Sequence, residues 1–135
     1  MEDSIFCKIV SGEIPCHKVY EDEDILAFLD INPISDGHTL VIPKKRFKDI
    51  HDLKNEDNLG NKLINAIQKV ANLLKEKLGY KGIMVMELNG EPQEVPYIHF
   101  HVFGRDSKSP LKIERPNNTD TSQEYIKSIA KKLNS

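Results

Sequence analysis

Tyr97-Ile98-His99-Phe100-His101-Val102-Phe103 alternates side chains with the period of a β-strand. In a strand, residues two apart stand on one face, roughly 6.6 Å apart at about 3.3 Å per residue. Ile98, Phe100 and Val102 are therefore expected to face a core, while Tyr97, His99 and His101 share the other side, beside the turn-forming Asn89-Gly90. Two of the five histidines of the chain thus stand in register on one strand face.

Working outward, Ile83-Met84-Val85-Met86 makes a partner strand ahead of the turn-rich Asn89-Gly90-Glu91-Pro92. Further back, Leu59, Leu63, Ile67, Val70, Leu74 and Leu78 recur every three or four residues, the stripe of one long helix, which Gly79 closes. Three shorter strands precede it. Val19-Tyr20 and Ile25 to Leu29 flank the acidic turn Glu21 to Asp24, and His38 to Ile42 runs from the Asp36-Gly37 turn to Pro43. Ile5, Phe6, Ile9 and Val10 suit a short helix stopped by Gly12 and Pro15. Beyond Arg105 the chain turns polar, and a last helix is expected from Thr121, capped by Thr121 with Glu124 and striped by Tyr125, Ile126, Ile129, Ala130 and Leu133. The sum is an α+β layout: an antiparallel sheet of about five strands, one long helix and a C-terminal helix. Residues 1–105 form the expected domain, and 106–135 a tail whose helix packs on it.

At 135 residues the chain fits one domain, and 19 basic against 21 acidic residues give a net charge of −2, which is no footprint for nucleic acid. No apolar run approaches the roughly 20 residues of a membrane span. Met1-Glu2-Asp3 does not open a secretory signal, and two cysteines, Cys7 and Cys16, make no disulfide framework, so a reducing cytoplasmic setting is expected.

Paired histidines admit three readings. They can be merely solvated. They can chelate a metal, with His38, Cys7, Cys16 or His51 supplying further ligands, although no metal-site spacing accompanies them. Or one neutral imidazole can attack phosphorus while the other orients it or handles a proton.

Four blocks bear on the choice. Ile5 to Pro15, Phe28-Leu29-Asp30-Ile31-Asn32-Pro33, Gly37 to Lys45 and Gln93 to Phe103 together resemble the histidine triad (HIT) superfamily, in order and over most of residues 5 to 105. Within it, the blocks most resemble the Hint-like nucleotide hydrolases. The resemblance implies a HIT-like fold, a homodimer, and a covalent nucleotidyl-histidine on His99, the middle position of the motif. It implies that His101 contacts the phosphate and leaving group and that His38 supports both from the neighbouring strand. Asn89 and Gln93 would hold the phosphate and its bridging atom, Asp30 would accept the ribose hydroxyls, and Ile5, Phe6, Ile9, Phe28 and Ile31 would form the slot for the base. The substrates implied are AMP or GMP conjugates, either phosphoramidates or dinucleoside polyphosphates. A non-catalytic purine nucleotide-binding or partner-binding module is the alternative.

The motif departs from its family at the first position, where Tyr97 replaces histidine. In the zinc-carrying branch that histidine joins two cysteines and a histidine after the Ile-Pro-Lys segment to hold a structural ion. Those places here are Ser4, Cys7, Arg46 and Tyr97. One thiol cannot make a tetrahedral zinc site, so neither a metal nor another cofactor is expected.

Overall fold

The computed structural model of the chain describes residues 4–106 and 114–135. Helix α1, Ile5–Ser11, begins where the Ser4 hydroxyl accepts from the Cys7 amide, and it ends on Gly12 in the left-handed region, φ 87°. Strands β1, Lys18–Glu21, and β2, Ile25–Leu29, form a hairpin. Its acidic turn works through one side chain: Asp22 Oδ1 accepts from the amides of Asp24 and Ile25, both at 2.8 Å. Strand β3, Thr39–Pro43, is followed by a single 3₁₀ turn at Glu56–Asn58 and by helix α2, Leu59–Leu78. Strands β4, Gly82–Glu87, and β5, Phe100–Arg105, complete an antiparallel five-stranded sheet in the order β1-β2-β3-β5-β4. Helix α3, Gln123–Leu133, ends the chain.

Both faces of the sheet are covered, which explains why β2 and β3 read as nearly unbroken apolar runs. On one face Leu63, Ile67, Val70 and Leu74 of α2 pack on Ile25, Ala27, Val41, Ile98 and Val102. On the other, Phe6 of α1 packs with Leu26, Phe28, Leu40, Ile42 and Tyr97. The turn before β3 rests on the end of α2. Gly37, φ 84°, leaves no room for a Cβ, which would come within 2.6 Å of Leu78 and 2.7 Å of Leu74.

Three expectations change in detail. Leu78 extends the α2 stripe in sequence, but it lies in the last turn, half exposed. The cap of α3 is Ser122, whose hydroxyl accepts from the Tyr125 amide, while Asp120 receives the Ser122 amide. Thr121 therefore precedes the cap. The third concerns the tail: no residue of α3 is buried, and Tyr125, Ile126, Ile129 and Leu133 stand open on its surface.

The α2 stripe carries the main core, so Leu74→Ala is expected to destabilise the fold by about 2–5 kcal/mol through lost burial and a residual cavity, read from chemical denaturation.

Candidate active site

Pairing of β3 with β5 sets the site. Thr39 lies opposite Val102 and Leu40 opposite His101, which places His38, one residue before β3, diagonally across from His101 on the α1 face. His99 precedes β5 on that same face. The three imidazoles form a row: ring centroids are 5.0 Å apart between His99 and His101 and 5.1 Å between His101 and His38. His38 is 2% exposed and His99 6%.

Hydrogen bonds assign each proton. His99 Nδ1 is 2.7 Å from the Tyr97 carbonyl oxygen, which can only accept, so Nδ1 carries hydrogen and in the neutral ring Nε2 has the lone pair. His38 Nδ1 accepts from the Ile34 amide at 3.0 Å, which leaves the His38 proton on Nε2. That proton is donated across 2.9 Å to His101 Nδ1, and so the His101 hydrogen sits on Nε2. His99 and His101 therefore hold opposite tautomers, one with a free lone pair at Nε2 and one with a donor there.

Burial favours the neutral form of His38 and His101. It pushes the His101 pKa down to about 4, helped by His99 and His38 and opposed by Asp30. Burial lowers that of His38 as well, again against Asp30, whose Oδ2 is 3.6 Å from His38 Nε2. The other Asp30 oxygen accepts from the Asn32 amide at 2.9 Å and so fixes the carboxylate at the end of β2.

These groups open on a cleft of about 290 Å³, near the lower end of the roughly 300–1,000 Å³ usual for small-ligand sites. Ile5, Phe6, Ile9, Phe28 and Ile31, the residues expected to form an apolar slot, all line it, together with Asp30, His99 and His101. His38 stands behind His101. Asn89 and Gln93 are not brought to this cleft. Asn89 Oδ1 accepts from the Ile50 amide and its Nδ2 donates to Glu87, while Gln93 Nε2 donates to the Lys48 carbonyl. Both amides thus brace the segment after β3, whose Phe47 carbonyl receives the Ile98 amide at 2.7 Å. Sequence reasoning did not place Ile14, Cys16, His17, Leu40, Glu94 and Val95 on the cleft wall. The Gln93 to Val95 block was visible in the motif, but which of its side chains faces the cleft depends on how the turn folds.

Among the described residues, one trio, Asp30, His38 and His101, has donor atoms close enough to suggest a metal. Its chemistry points elsewhere. The 2.9 Å between the two nitrogens is a hydrogen bond, shorter than the roughly 3.3 Å kept by ligands 2.0–2.1 Å from a tetrahedral zinc. Moreover, the Ile34 amide holds the His38 proton on the nitrogen a metal would need. The places that carry zinc in one branch of the family do not fit that ion either. Arg46 brings a guanidinium, which donates to the Pro96 carbonyl at 2.9 Å, and the Tyr97 hydroxyl donates to backbone carbonyls. Burial, with Cys7 nearby, pushes the phenol pKa up, so it stays a donor.

The profile of the HIT domain matches residues 11–108. An uncharacterized HIT-like protein of Methanocaldococcus jannaschii is 48% identical over 103 residues, covering 75% of this chain and 78% of its own. The adenosine 5′-monophosphoramidase of Schizosaccharomyces pombe is 39% identical over 106 residues, covering 77% and 75%. The crystal structure of a HIT family member from Bacillus subtilis superposes with a TM-score of 0.85 at 34% identity, over 98% of this chain and 96% of that one. The chain belongs to the HIT family.

The lowered pKa values of His38 and His101 make stability depend on acid. A histidine whose folded pKa lies below its unfolded value of about 6.5 binds fewer protons when folded, so stability is full above about pH 6.5 and declines as pH falls toward 4. The melting temperature is expected to drop across that window, and the His101 ring proton in NMR should titrate with a midpoint near 4. A midpoint near 6.5 would contradict the buried, neutral assignment.

Proposed function

We propose that the chain hydrolyses nucleoside 5′-monophosphate conjugates, foremost adenosine phosphoramidates, through a covalent nucleotidyl-His99. The observation that carries this reading is the pair of opposite tautomers: a lone pair on His99 Nε2 beside a hydrogen on His101 Nε2. The first group is a nucleophile and the second a hydrogen-bond donor for a phosphoryl oxygen or the leaving atom.

In the first step His99 Nε2 forms a bond to the α-phosphorus as the bond from phosphorus to the leaving nitrogen breaks. That nitrogen takes up a proton from solvent. The positive charge left on the His99 ring is met by the Tyr97 carbonyl, which keeps the Nδ1 hydrogen. Water then attacks phosphorus and gives up a proton to solvent, the P–Nε2 bond breaks with its electron pair returning to Nε2, and the nucleotide is released from a neutral imidazole. His101 donates to the phosphoryl group, and its low pKa keeps it from becoming a second cation that would compete with this state. Much of the acceleration in such a site comes from positioning, which the bound ring orientations supply.

The apolar walls at Ile5, Phe6, Ile9, Phe28 and Ile31 suit a purine, and the Asp30 carboxylate at the cleft edge suits ribose hydroxyls. The name of the fission-yeast relative, a monophosphoramidase, agrees with this substrate class. Charge favours it too. Asp30 and Glu94 both line the cleft, and among the described residues no lysine or arginine does, so a leaving group carrying further phosphates is repelled. We assign the phosphate roles to His99 and His101 and leave Asn89 and Gln93 as braces. A homodimer is part of the proposal, on family grounds.

Two experiments test it. With a slow AMP conjugate, a rapid acid-free quench should trap AMP on His99, and His99→Ala should abolish both adduct and turnover while retaining AMP binding, because the slot and Asp30 are untouched. Normal turnover by His99→Ala would eliminate the covalent route, and bound AMP without any wild-type turnover would favour a binding module. In a substrate comparison, adenosine phosphoramidate should exceed a diadenosine polyphosphate in kcat/KM by about tenfold or more, equivalent to at least ~1.4 kcal/mol in the barrier.

A further inference from the structure

The stretch ahead of His99 is held by an unusual set of ties. Tyr97 is 1% exposed, its ring in edge contact with Phe6 at 5.9 Å, and Phe6 in turn meets His99 edge-on at 5.0 Å. The phenol oxygen lies 2.5 Å from the Pro43 carbonyl and 3.0 Å from that of Lys44, at the end of β3, so its one hydrogen is shared between two acceptors. One residue earlier, the Pro96 carbonyl accepts from Arg46 at 2.9 Å. One residue later, the Ile98 amide donates to Phe47. Each of these hydrogen bonds joins the stretch to residues 43–47, and the carbonyl at its centre, that of Tyr97, is the one that receives His99 Nδ1–H.

Packing alone does not explain the hydroxyl. A phenylalanine would fill the same apolar space without a buried polar atom that must find partners. Arg46 is more than surface charge, since its Nε is buried and its guanidinium is tied to the Pro96 carbonyl. These are also two of the four places at which the zinc-carrying branch of the family holds its ion, and the residues here do not fit a metal.

We propose that Tyr97 and Arg46 are positioning residues, forming a metal-independent brace from the end of β3 that holds the Tyr97 carbonyl where it keeps the His99 proton on Nδ1 and the lone pair on Nε2. The brace acts through His99 and touches no substrate. Its catalytic consequence rests on the reading of His99 as nucleophile, whereas its effect on the His99 tautomer does not.

The test uses Tyr97→Phe, which keeps the ring and removes the hydroxyl, and Arg46→Met, which keeps much of the stem and removes the tie to Pro96. Ring-nitrogen NMR of ¹⁵N-histidine-labelled protein reads the tautomer directly. The wild type should show His99 protonated at Nδ1, with well-separated nitrogen shifts. In each variant the two shifts should move toward each other as the second tautomer becomes populated. With adenosine phosphoramidate, kcat should fall about five- to tenfold while KM stays within about twofold, because the base slot and Asp30 are unaltered. Unchanged His99 shifts and kcat in both folded variants, even with a lower melting temperature, would overturn the proposal and leave a purely structural role. If Tyr97→Phe does not fold, Arg46→Met alone decides by the same two readings. If the wild type turns over no AMP conjugate, the proposed function fails, while the nitrogen shifts still decide the brace.

Discussion

The pairing of β3 with β5 is the constraint on which the rest of this molecule depends. Leu40 opposite His101 fixes which side chains share a face, and a slip of one residue would send the histidines to the α2 side and Val102 to the cleft. The sheet resists such a slip because both faces are buried. The α2 face needs Val41, Ile98 and Val102, and the α1 face needs Leu40, Ile42 and Tyr97, so the two cores select the same register. The chemistry of the site inherits its precision from that double selection.

Within this frame, polar chemistry is arranged by backbone as much as by side chains. The Tyr97 carbonyl sets His99, the Ile34 amide sets His38, and His38 sets His101. His38 thus has both nitrogens committed and His99 and His101 one each, and the uncommitted nitrogens of those two differ in kind. A buried histidine normally gives up its charge to avoid desolvation, and here that tendency is put to use. A neutral His101 can donate without burying another cation. Asp30 opposes the loss of charge on His38 and His101, but at 3.6 Å it does not reverse it.

The same economy shows where the chain departs from its family's motif. Histidine at position 97 would place a fourth imidazole beside the row, against Phe6, Leu26 and Ile42, in a core that offers backbone carbonyls as acceptors. A tyrosine satisfies both requirements at once, its ring in the apolar cluster and its hydroxyl on Pro43 and Lys44. The carbonyl that orients His99 belongs to the backbone and survives the exchange. The absence of metal-ligand types at positions 46 and 97 is therefore compatible with an ordered site, because hydrogen bonds tie residues 43–47 to residues 96–98.

Much was legible in the chain alone. Period-2 alternation from Tyr97 to Phe103, the stripe of α2 and the glycine and proline punctuation around the strands are local signals, and local sterics and burial dictate their outcome. The number of strands, the long helix, the apolar slot and the histidine row followed from them and from the motif blocks. Other features depend on partners distant in sequence. Tyr97 and His99 share a face by alternation, yet whether that face meets solvent or a second core depends on where α1 lies. The tautomers depend on Ile34 and on the β3–β5 register, more than sixty residues apart in the case of His38 and His101. Asn89 and Gln93 look like cleft residues in the string, but the turn that carries them spends their amides on Ile50, Glu87 and Lys48. Sequence determined which groups could do the chemistry, because composition and periodicity are properties of the chain. Tertiary structure decided which nitrogen holds a proton and which amide is already engaged, because hydrogen-bond partners are assigned only when separate segments meet.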